Sequence, residues 1–334
     1  MRPTELTKYL AFAIENKFPV LVKGRPGAGK TDIMKQAAKD ANAELIISHP
    51  VVSDPTDYKG LPFPGKDNTA DFLPYGDLSK ILKAKKKTIF FLDDLGQAPA
   101  SVQAACMQLI LAREINGKKV SEQVIFMAAT NRKEDKAGVS GILSPVKSRF
   151  VSIIELEVLT EDWIAWAFAN DMPTELIAFV RFKPNILEEY KPVNDMVNIP
   201  SPRTITAIGR QQNANLSKEL EFEVFKGAAG EAFSQEYCTF LKMHRELPSI
   251  DDIILNPSKA VVPKNPGALL ALSAGMARKI SDQTIGPIYT YLERLPKENS
   301  VACMKDAASR DSNITKNRVF IKWAEKYGNM NFKN

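Results

Sequence analysis

Residues 24 to 31 read Gly24-Arg25-Pro26-Gly27-Ala28-Gly29-Lys30-Thr31, a G-x-x-x-x-G-K-T pattern. That spacing suits one task, wrapping backbone N–H groups round the phosphates of a nucleotide. Its glycines let the backbone approach without a Cβ in the way. Lys30 would reach the β- and γ-phosphates, and the Thr31 hydroxyl would ligate Mg²⁺. The candidate nucleotide-binding residues are therefore Gly24, Arg25, Pro26, Gly27, Ala28, Gly29, Lys30, Thr31 and Asp32, and the ligand they imply is ATP or GTP. A second group follows at Asp93-Asp94, where an apolar run ends in two carboxylates. Asp93 is placed to hold the magnesium opposite Thr31. Asp94 is placed to orient or deprotonate an attacking water. A third is Asn131, whose amide suits either a γ-phosphate contact or a plain turn or cap.

Each of these groups needs an element behind it, and the sequence supplies one. Pro19-Val20-Leu21-Val22 reads as a buried parallel strand entering the loop. Thr31 to Asp40 reads as a helix with Ile33, Met34, Ala37 and Ala38 on one face. The loop then sits at a helix N-terminus, where N–H groups and the helix dipole favour anions. Thr88 to Leu92 forms a second buried strand, with the acidic pair at its carboxyl end, where open α/β sheets bind ligands. Val124 to Ala129 forms a third, ending in Thr130-Asn131. Between these two, Ala98 to Arg113 has a helical pattern, and Asn116-Gly117 marks a two-residue hairpin.

The bulk composition narrows the class. A chain of 334 residues exceeds what one core usually supports, so a nucleotide domain with further modules is expected. Cys106, Cys238 and Cys303 are too scattered for a disulfide framework or a metal motif. They are expected to pack as small apolar residues in a reducing compartment. With only His49 and His244, the composition argues against histidine-rich catalysis and most zinc hydrolase schemes. Met1 is followed by Arg-Pro-Thr-Glu without an apolar signal region, and no apolar window is long enough to cross a bilayer. A cytoplasmic location with no membrane partner is expected. The net charge of +6 permits a nucleic-acid partner without indicating one. The run Lys83-Ala84-Lys85-Lys86-Lys87 reads as a solvated approach to the next strand.

The order of features resembles an AAA+ ATPase. It runs from phosphate loop through acidic strand and hairpin to a strand ending in Thr-Asn, then Leu143-Ser144-Pro145-Val146-Lys147-Ser148-Arg149-Phe150. More narrowly, Asp54-Pro55-Thr56-Asp57-Tyr58-Lys59-Gly60 is similar to the Asp-Pro-x-Asp-x-x-Gly pattern of the MoxR-like branch. The resemblance covers about residues 1–247. It implies that Arg149 acts as an arginine finger on ATP bound to a neighbouring subunit. It also implies that Ile199-Pro200-Ser201-Pro202-Arg203-Thr204-Ile205 opens a lid helix, with Arg203 over the γ-phosphate. One departure stands out: the family usually has Asp-Glu where this chain has Asp93-Asp94. The side chain at 94 is one methylene short, which leaves open a slow, switch-like ATPase.

The expected architecture is α/β, a P-loop AAA+ parallel-sheet nucleotide domain with a helical lid and a helical C-terminal extension. The boundaries read as 1–155, 156–247 and 248–334. Residues 53–82 are punctuated by Pro55, Gly60, Pro62, Pro64, Gly65, Pro74 and Gly76 and read as a long structureless stretch. In MoxR-like proteins an insertion near this place faces a central pore. Tyr58, Phe63, Phe72, Leu73 and Tyr75 would then either grip a client or anchor the loop to its own domain. Beyond Phe150 the pattern turns helical. Thr160 reads as an N-cap, Trp163 and Trp166 as lid core, and Pro202–Gln212, Lys218–His244, Pro266–Ile280, Thr284–Leu295 and Lys316–Tyr327 as helices. The resemblance implies an ATP-hydrolysing homo-oligomer with ATP and Mg²⁺, a hexameric ring. Its partner would be a protein client, for which the family suggests a von Willebrand A-type domain. A DNA-handling motor or loader, and an ATP-gated scaffold with little turnover, are the other two classes the sequence leaves open.

Overall fold

The strands at Thr88–Leu92 and Val124–Thr130 are buried along their whole length, as strands covered by helices on both faces must be. They sit at the centre of a computed structural model that describes residues 1–65, 70–135, 141–188, 197–245 and 247–327. The chain divides into two compact units, Met1–Val158 and Leu159–Asn334.

In chain order the first unit contains α1 (Pro3–Glu15), β1 (Val20–Lys23), α2 (Lys30–Asp40), β2 (Glu44–Ser48), α3 (Thr56–Lys59), β3 (Leu61–Pro64), β4 (Ala70–Leu73) and α4 (Gly76–Lys83). It continues with β5 (Thr88–Leu92), α5 (Ala100–Ala112), β6 (Glu114–Ile115), β7 (Lys118–Lys119), β8 (Val124–Thr130), α6 (Ser144–Lys147) and β9 (Ser152–Glu155). Five strands form one sheet in the order β2-β5-β8-β1-β9, all parallel. The strand period of two sorts the core into two layers. Phe90, Leu92, Phe126 and Ala128 pack with Leu78, Ile81, Val102, Cys106 and Leu109. Ile89, Phe91, Ile125 and Met127 face the other way, onto Leu6, Leu10, Ile14, Met34 and Ala37. Burying one such aromatic or aliphatic side chain is worth about 1.5–3 kcal/mol. Because all strands run the same way, the loop after β1 and the tips of β5 and β8 emerge at one edge of the sheet.

Two expectations for this unit are corrected. Residues 53–82 are not structureless: α3, the antiparallel pair β3–β4 and α4 occupy most of them, with 66–69 outside the described residues. The register there pairs Leu61 with Leu73 and Phe63 with Asp71. Tyr58 anchors the segment, because its side chain is buried and its hydroxyl lies 2.8 Å from Ser48 Oγ. Strand character also persists beyond Phe150, since β9 pairs with β1. Its pattern is short and mixed in burial, which hid it from a periodicity reading. The Asn116-Gly117 hairpin forms between β6 and β7, with both residues at positive φ.

The second unit is helical: α7 (Thr160–Ala169), α8 (Thr174–Phe182), α9 (Asn185–Glu188), α10 (Pro202–Asn213), α11 (Glu221–Ala229) and α12 (Glu231–Arg245). It ends with α13 (Ile250–Leu255), α14 (Pro266–Lys279), α15 (Ile285–Leu292), α16 (Lys297–Arg310) and α17 (Arg318–Tyr327). Phe179 gathers Phe233, Tyr237 and Phe240 at ring separations of 4.9–5.6 Å. Thr160 is not an N-cap: Leu159 holds that position and the threonine hydroxyl donates to Pro184 O. The helix expected over Lys218–His244 is two helices, broken at Gly230. Trp163 is buried as core, whereas Trp166 is partly exposed. Arg181 on α8 forms a partly buried two-pronged pair with Asp306 on α16, Nη2 to Oδ1 at 2.8 Å. Burial pushes the Asp306 carboxyl up from its ordinary value, against the pull of Arg181. Among the described residues no helix is long and apolar enough to cross a membrane.

Candidate functional site

The phosphate loop ends at Gly29, which stands in the left-handed region at φ +94 as the N-cap of α2. A side chain is strained there, so the G-K-T order is a backbone requirement. The first i−4 hydrogen bond of α2 runs from Ile33 N to Gly29 O at 2.9 Å. The N–H groups of Lys30, Thr31 and Asp32 precede it, directed along the helix axis as an anion site requires. The Asp32 side chain turns outward to Lys35 instead, so its offer to a phosphate is its backbone. Gly24 N donates to Thr130 O at 3.1 Å, tying the start of the loop to the end of β8.

Lys30 is buried, and its ammonium donates to Gly24 O at 3.0 Å, Arg25 O at 3.1 Å and Asn131 Oδ1 at 2.6 Å. Asn131 Nδ2 reaches on to Asp94 Oδ1 at 3.4 Å. Lys30, Asn131 and Asp94, drawn from three separate segments, thus form one hydrogen-bonded chain across the carboxyl tips of β5 and β8. Hydrogen bonds to a charged group contribute about 1.5–3 kcal/mol each, enough to fix these side chains. Beside them Thr31 Oγ1 donates to Asp93 Oδ2 at 2.7 Å. Asp93 is buried, and its other oxygen accepts the Asp94 N–H at 3.1 Å. A hydroxyl and a carboxylate so close are hard oxygen donors of the kind Mg²⁺ takes alongside waters and phosphate oxygens, so the residues fit the metal.

Asp94 itself lies in the left-handed region, φ 57 and ψ 34, and opens a single 3₁₀ turn over Leu95–Gln97. Gly96 seats that turn on β8. A Cβ added there would fall 2.2 Å from Thr130 Oγ1. Gln97 Nε2 donates to Asp94 Oδ1 at 2.8 Å, a contact missed by a reading that stopped at the acidic pair. Its signal was position: in 3₁₀ geometry residues three apart lie on the same side.

A second network, also missed, braces the far side of Asn131. Arg132 holds the buried Asp135 through two prongs, 2.8 and 2.7 Å, and reaches Glu155 at 3.2 Å. Lys23 meets the same glutamate at 2.8 Å. The hydrogen bond from Lys23, helped by Arg132, holds the Glu155 carboxyl below its ordinary value. The hydrogen bond to Asp135 pushes Arg132 up. These pairs join β1, β9 and the segment after β8, and so fix the backbone that carries Asn131.

Two of the expected residues are not members of this hydrogen-bonded chain. Arg149 follows α6, half-buried, with Nη1 on Ser148 Oγ at 3.3 Å and no hydrogen bond to Lys30, Asp94 or Asn131 among the described residues. Arg203 belongs to the second unit as the second residue of α10, exposed. The cap of that helix is a reciprocal Ser201–Thr204 pair.

With the loop, the acidic strand tip and the parallel sheet in place, the first unit has the P-loop AAA+ fold. Residues 20–158 match the family described as "ATPase family associated with various cellular activities (AAA)". Among solved structures the chain is similar to the Thermotoga maritima RuvB Holliday junction branch migration motor. The identity is 16% and the TM-score 0.40, with 87% of each chain covered. A mutant of RuvB from the same organism matches at 17% identity and a TM-score of 0.43, covering 87% of this chain and 86% of that one. No curated protein matches the chain.

Proposed function

We propose that this chain is an ATP-hydrolysing ring protein of MoxR-like type that remodels or matures a protein partner. The hydrogen-bonded chain Lys30–Asn131–Asp94, with Thr31 and Asp93 beside it, carries the ATPase part of the reading. The transition state of phosphoryl transfer is loose and anionic, so catalysis is chiefly positioning and charge stabilisation. Lys30 and the N–H groups of the loop would cradle the β- and γ-phosphates. Mg²⁺, held by Thr31 and Asp93, would neutralise charge on the same oxygens. Asp94 would take the proton of the attacking water, and Asn131 would sense the γ-phosphate. Arg203 would serve the nucleotide of its own subunit and Arg149 that of a neighbour in a hexameric ring.

The β3–β4 hairpin favours a protein client over DNA. Leu61, Phe63, Phe72 and Leu73 are all exposed, and Phe63 keeps 59% of its surface in water. Residues 61–73 carry a single lysine, Lys66, against Asp67 and Asp71, whereas binding to nucleic acid rests on neutralising phosphates. The resemblance points to a von Willebrand A-type domain as the client. The test uses the full chain. Asp94→Asn, loaded with Mg-ATP, should retain a protein that Lys30→Ala does not retain. Phe63→Ser with Phe72→Ser should release it while leaving basal ATP turnover intact. Salt-sensitive stimulation by DNA, with no protein retained, would overturn the client reading.

A further inference from the structure

The β3–β4 hairpin has two outer edges, and they are chemically unequal. Pro62 and Pro64 on β3 lie opposite Phe72 and Ala70 on β4. Proline has no N–H, so neither position can belong to a pair that exchanges two ladder bonds. The bonds that hold the hairpin therefore fall at Leu61–Leu73 and Phe63–Asp71, where both members have an N–H. The pattern alternates, so Pro62, Pro64, Phe72 and Ala70 all turn their main-chain groups outward. Along β3 that leaves carbonyls without a donor at either proline. Along β4 it leaves an N–H and a C=O from each of Ala70 and Phe72, spaced as an extended chain can match. Those groups bond to no other strand or loop among the described residues, and every residue of both strands is exposed. Pro74 closes the row of donors.

We infer that an extended segment of a protein partner adds to this edge as a third strand, paired main chain to main chain with Ala70 and Phe72. The inference rests on the client reading above and specifies how the client is held. Strand addition draws its affinity from main-chain bonds and its selectivity from alternate side chains. Phe72 and Ala70 share one face of the hairpin with the two prolines, and Asp71 shares the other with Leu61, Phe63 and Leu73. Cross-strand pairing then favours an aromatic or β-branched residue beside Phe72 and a basic one beside Asp71. A two-stranded hairpin is marginal by itself, and a third strand stabilises it.

The same two prolines argue against a second copy of the chain as the occupant. Neighbours in a ring meet head to tail, so pairing between their hairpins would bring β4 of one copy to β3 of the next. That edge has no N–H to give at 62 or 64. Pairing β4 with β4 keeps the donors but is two-fold, which closes a dimer instead of a larger ring. The base of the hairpin is fixed in advance. Gly60 stands at φ +90, where a Cβ would fall 2.8 Å from Leu73 O. The Tyr75 hydroxyl donates to Asp57 Oδ1 at 2.6 Å, and Asn116 Nδ2 donates to Lys59 O. An anchored ribbon presents its edge with little left to order when a strand arrives.

The test is fluorescence anisotropy of the full chain, with Mg²⁺ and a non-hydrolysable ATP analogue, against a fluorescein-labelled peptide of alternating valine and lysine. The same peptide N-methylated at every residue keeps the side chains and charges but loses the donors, and should bind at least about tenfold more weakly. Ala70→Pro removes one donor from the β4 edge and spares the bonds at Leu61–Leu73 and Phe63–Asp71. It should weaken the unmethylated peptide by about tenfold. Pro62→Ala with Pro64→Ala restores donors to the other edge and should leave the affinity undiminished. Bound peptide should slow hydrogen exchange at the Ala70 and Phe72 amides. If the N-methylated peptide binds as well as its parent, and Phe63→Ser with Phe72→Ser releases both, side chains alone grip the client. The inference then falls and the client reading stands. If neither Ala70→Pro nor the double serine variant differs from the parent chain, the hairpin is not the site and both fall. If the chain takes no peptide, the inference falls, and the protein retained by Asp94→Asn still decides the client reading. Dimers that Ala70→Pro abolishes would then name a second copy as the occupant.

Discussion

Lys30 shows how much of a site one side chain can hold together. It touches the loop that carries it and the tip of β8, so Lys30→Ala removes a phosphate contact and a brace at once. We expect ATP binding to fall below detection by calorimetry while thermal unfolding remains cooperative. Unchanged affinity in the folded variant would move the nucleotide elsewhere. Asp94→Asn should keep Mg-ATP and lose turnover, since an amide cannot accept the proton. Full hydrolysis by that variant, read as phosphate release, would assign water activation to another group. At this scale the loop and the acidic pair were legible because their chemistry is written in contiguous residues. Gln97 and the Arg132–Asp135–Glu155 network were not. Their roles depend on a turn geometry and on strand neighbours that lie far apart in sequence.

Two elements invite tests of packing. The 3₁₀ turn after β5 rests on β8 through Gly96, and Gly96→Ala drives a methyl into Thr130. Overpacking of this kind costs about 1–3 kcal/mol. Turnover should fall as well, because Asp94 and Gln97 move with the turn. Adding Thr130→Ala should recover part of both, and full additivity of the two lesions would mean that they do not share this contact. In the second unit, Arg181→Ala leaves the Asp306 carboxylate buried without its partner, which costs about 3–5 kcal/mol. Burial raises the Asp306 pKa above its unfolded value of 3.8. The folded state therefore holds that proton more tightly, and stability falls as pH rises from 3.8 through the folded value. Asp306→Asn should flatten that slope in chemical denaturation between acid and neutral pH, while lowering stability overall because it leaves the Arg181 guanidinium without its counter-ion. A steeper slope in the variant would reverse the sign argued here. Strands and long helices were legible from period alone. The 53–82 segment was not, because proline and glycine punctuate a real hairpin as they would a loop, and β9 lacks an apolar run.

For the whole molecule, the proposed ring makes a prediction no monomer can satisfy. Arg149 makes no hydrogen bond to its own Lys30–Asn131–Asp94 chain, and its nearest partner is Ser148. Mixing Arg149→Ala with Lys30→Ala subunits should therefore recover activity wherever an intact Arg149 meets an intact Lys30 pocket. A finger given in trans can be worth about 10³- to 10⁵-fold in rate, so even a minority of rebuilt interfaces is measurable. Arg203→Ala mixed with Lys30→Ala should recover nothing if Arg203 serves its own pocket. The readout is ATPase rate against mixing ratio with co-assembly confirmed. Equal failure of both mixtures would remove the trans role, and activity undiminished in demonstrated monomer would remove the ring.

The strand order β2-β5-β8-β1-β9 also fixes a timetable for synthesis. Both neighbours of β8 are made before it, and only β9 follows among the five. Until residue 124 leaves the ribosome, β1 and β5 each present a bare ladder edge, the kind that invites pairing with other chains. The strand that closes the gap is buried at all seven positions, so it has no solvated face to wait on. Nascent chains arrested before Val124 should therefore be held by chaperones and cut readily by protease. Those arrested far enough beyond Glu155 for all five strands to have left the ribosome should resist.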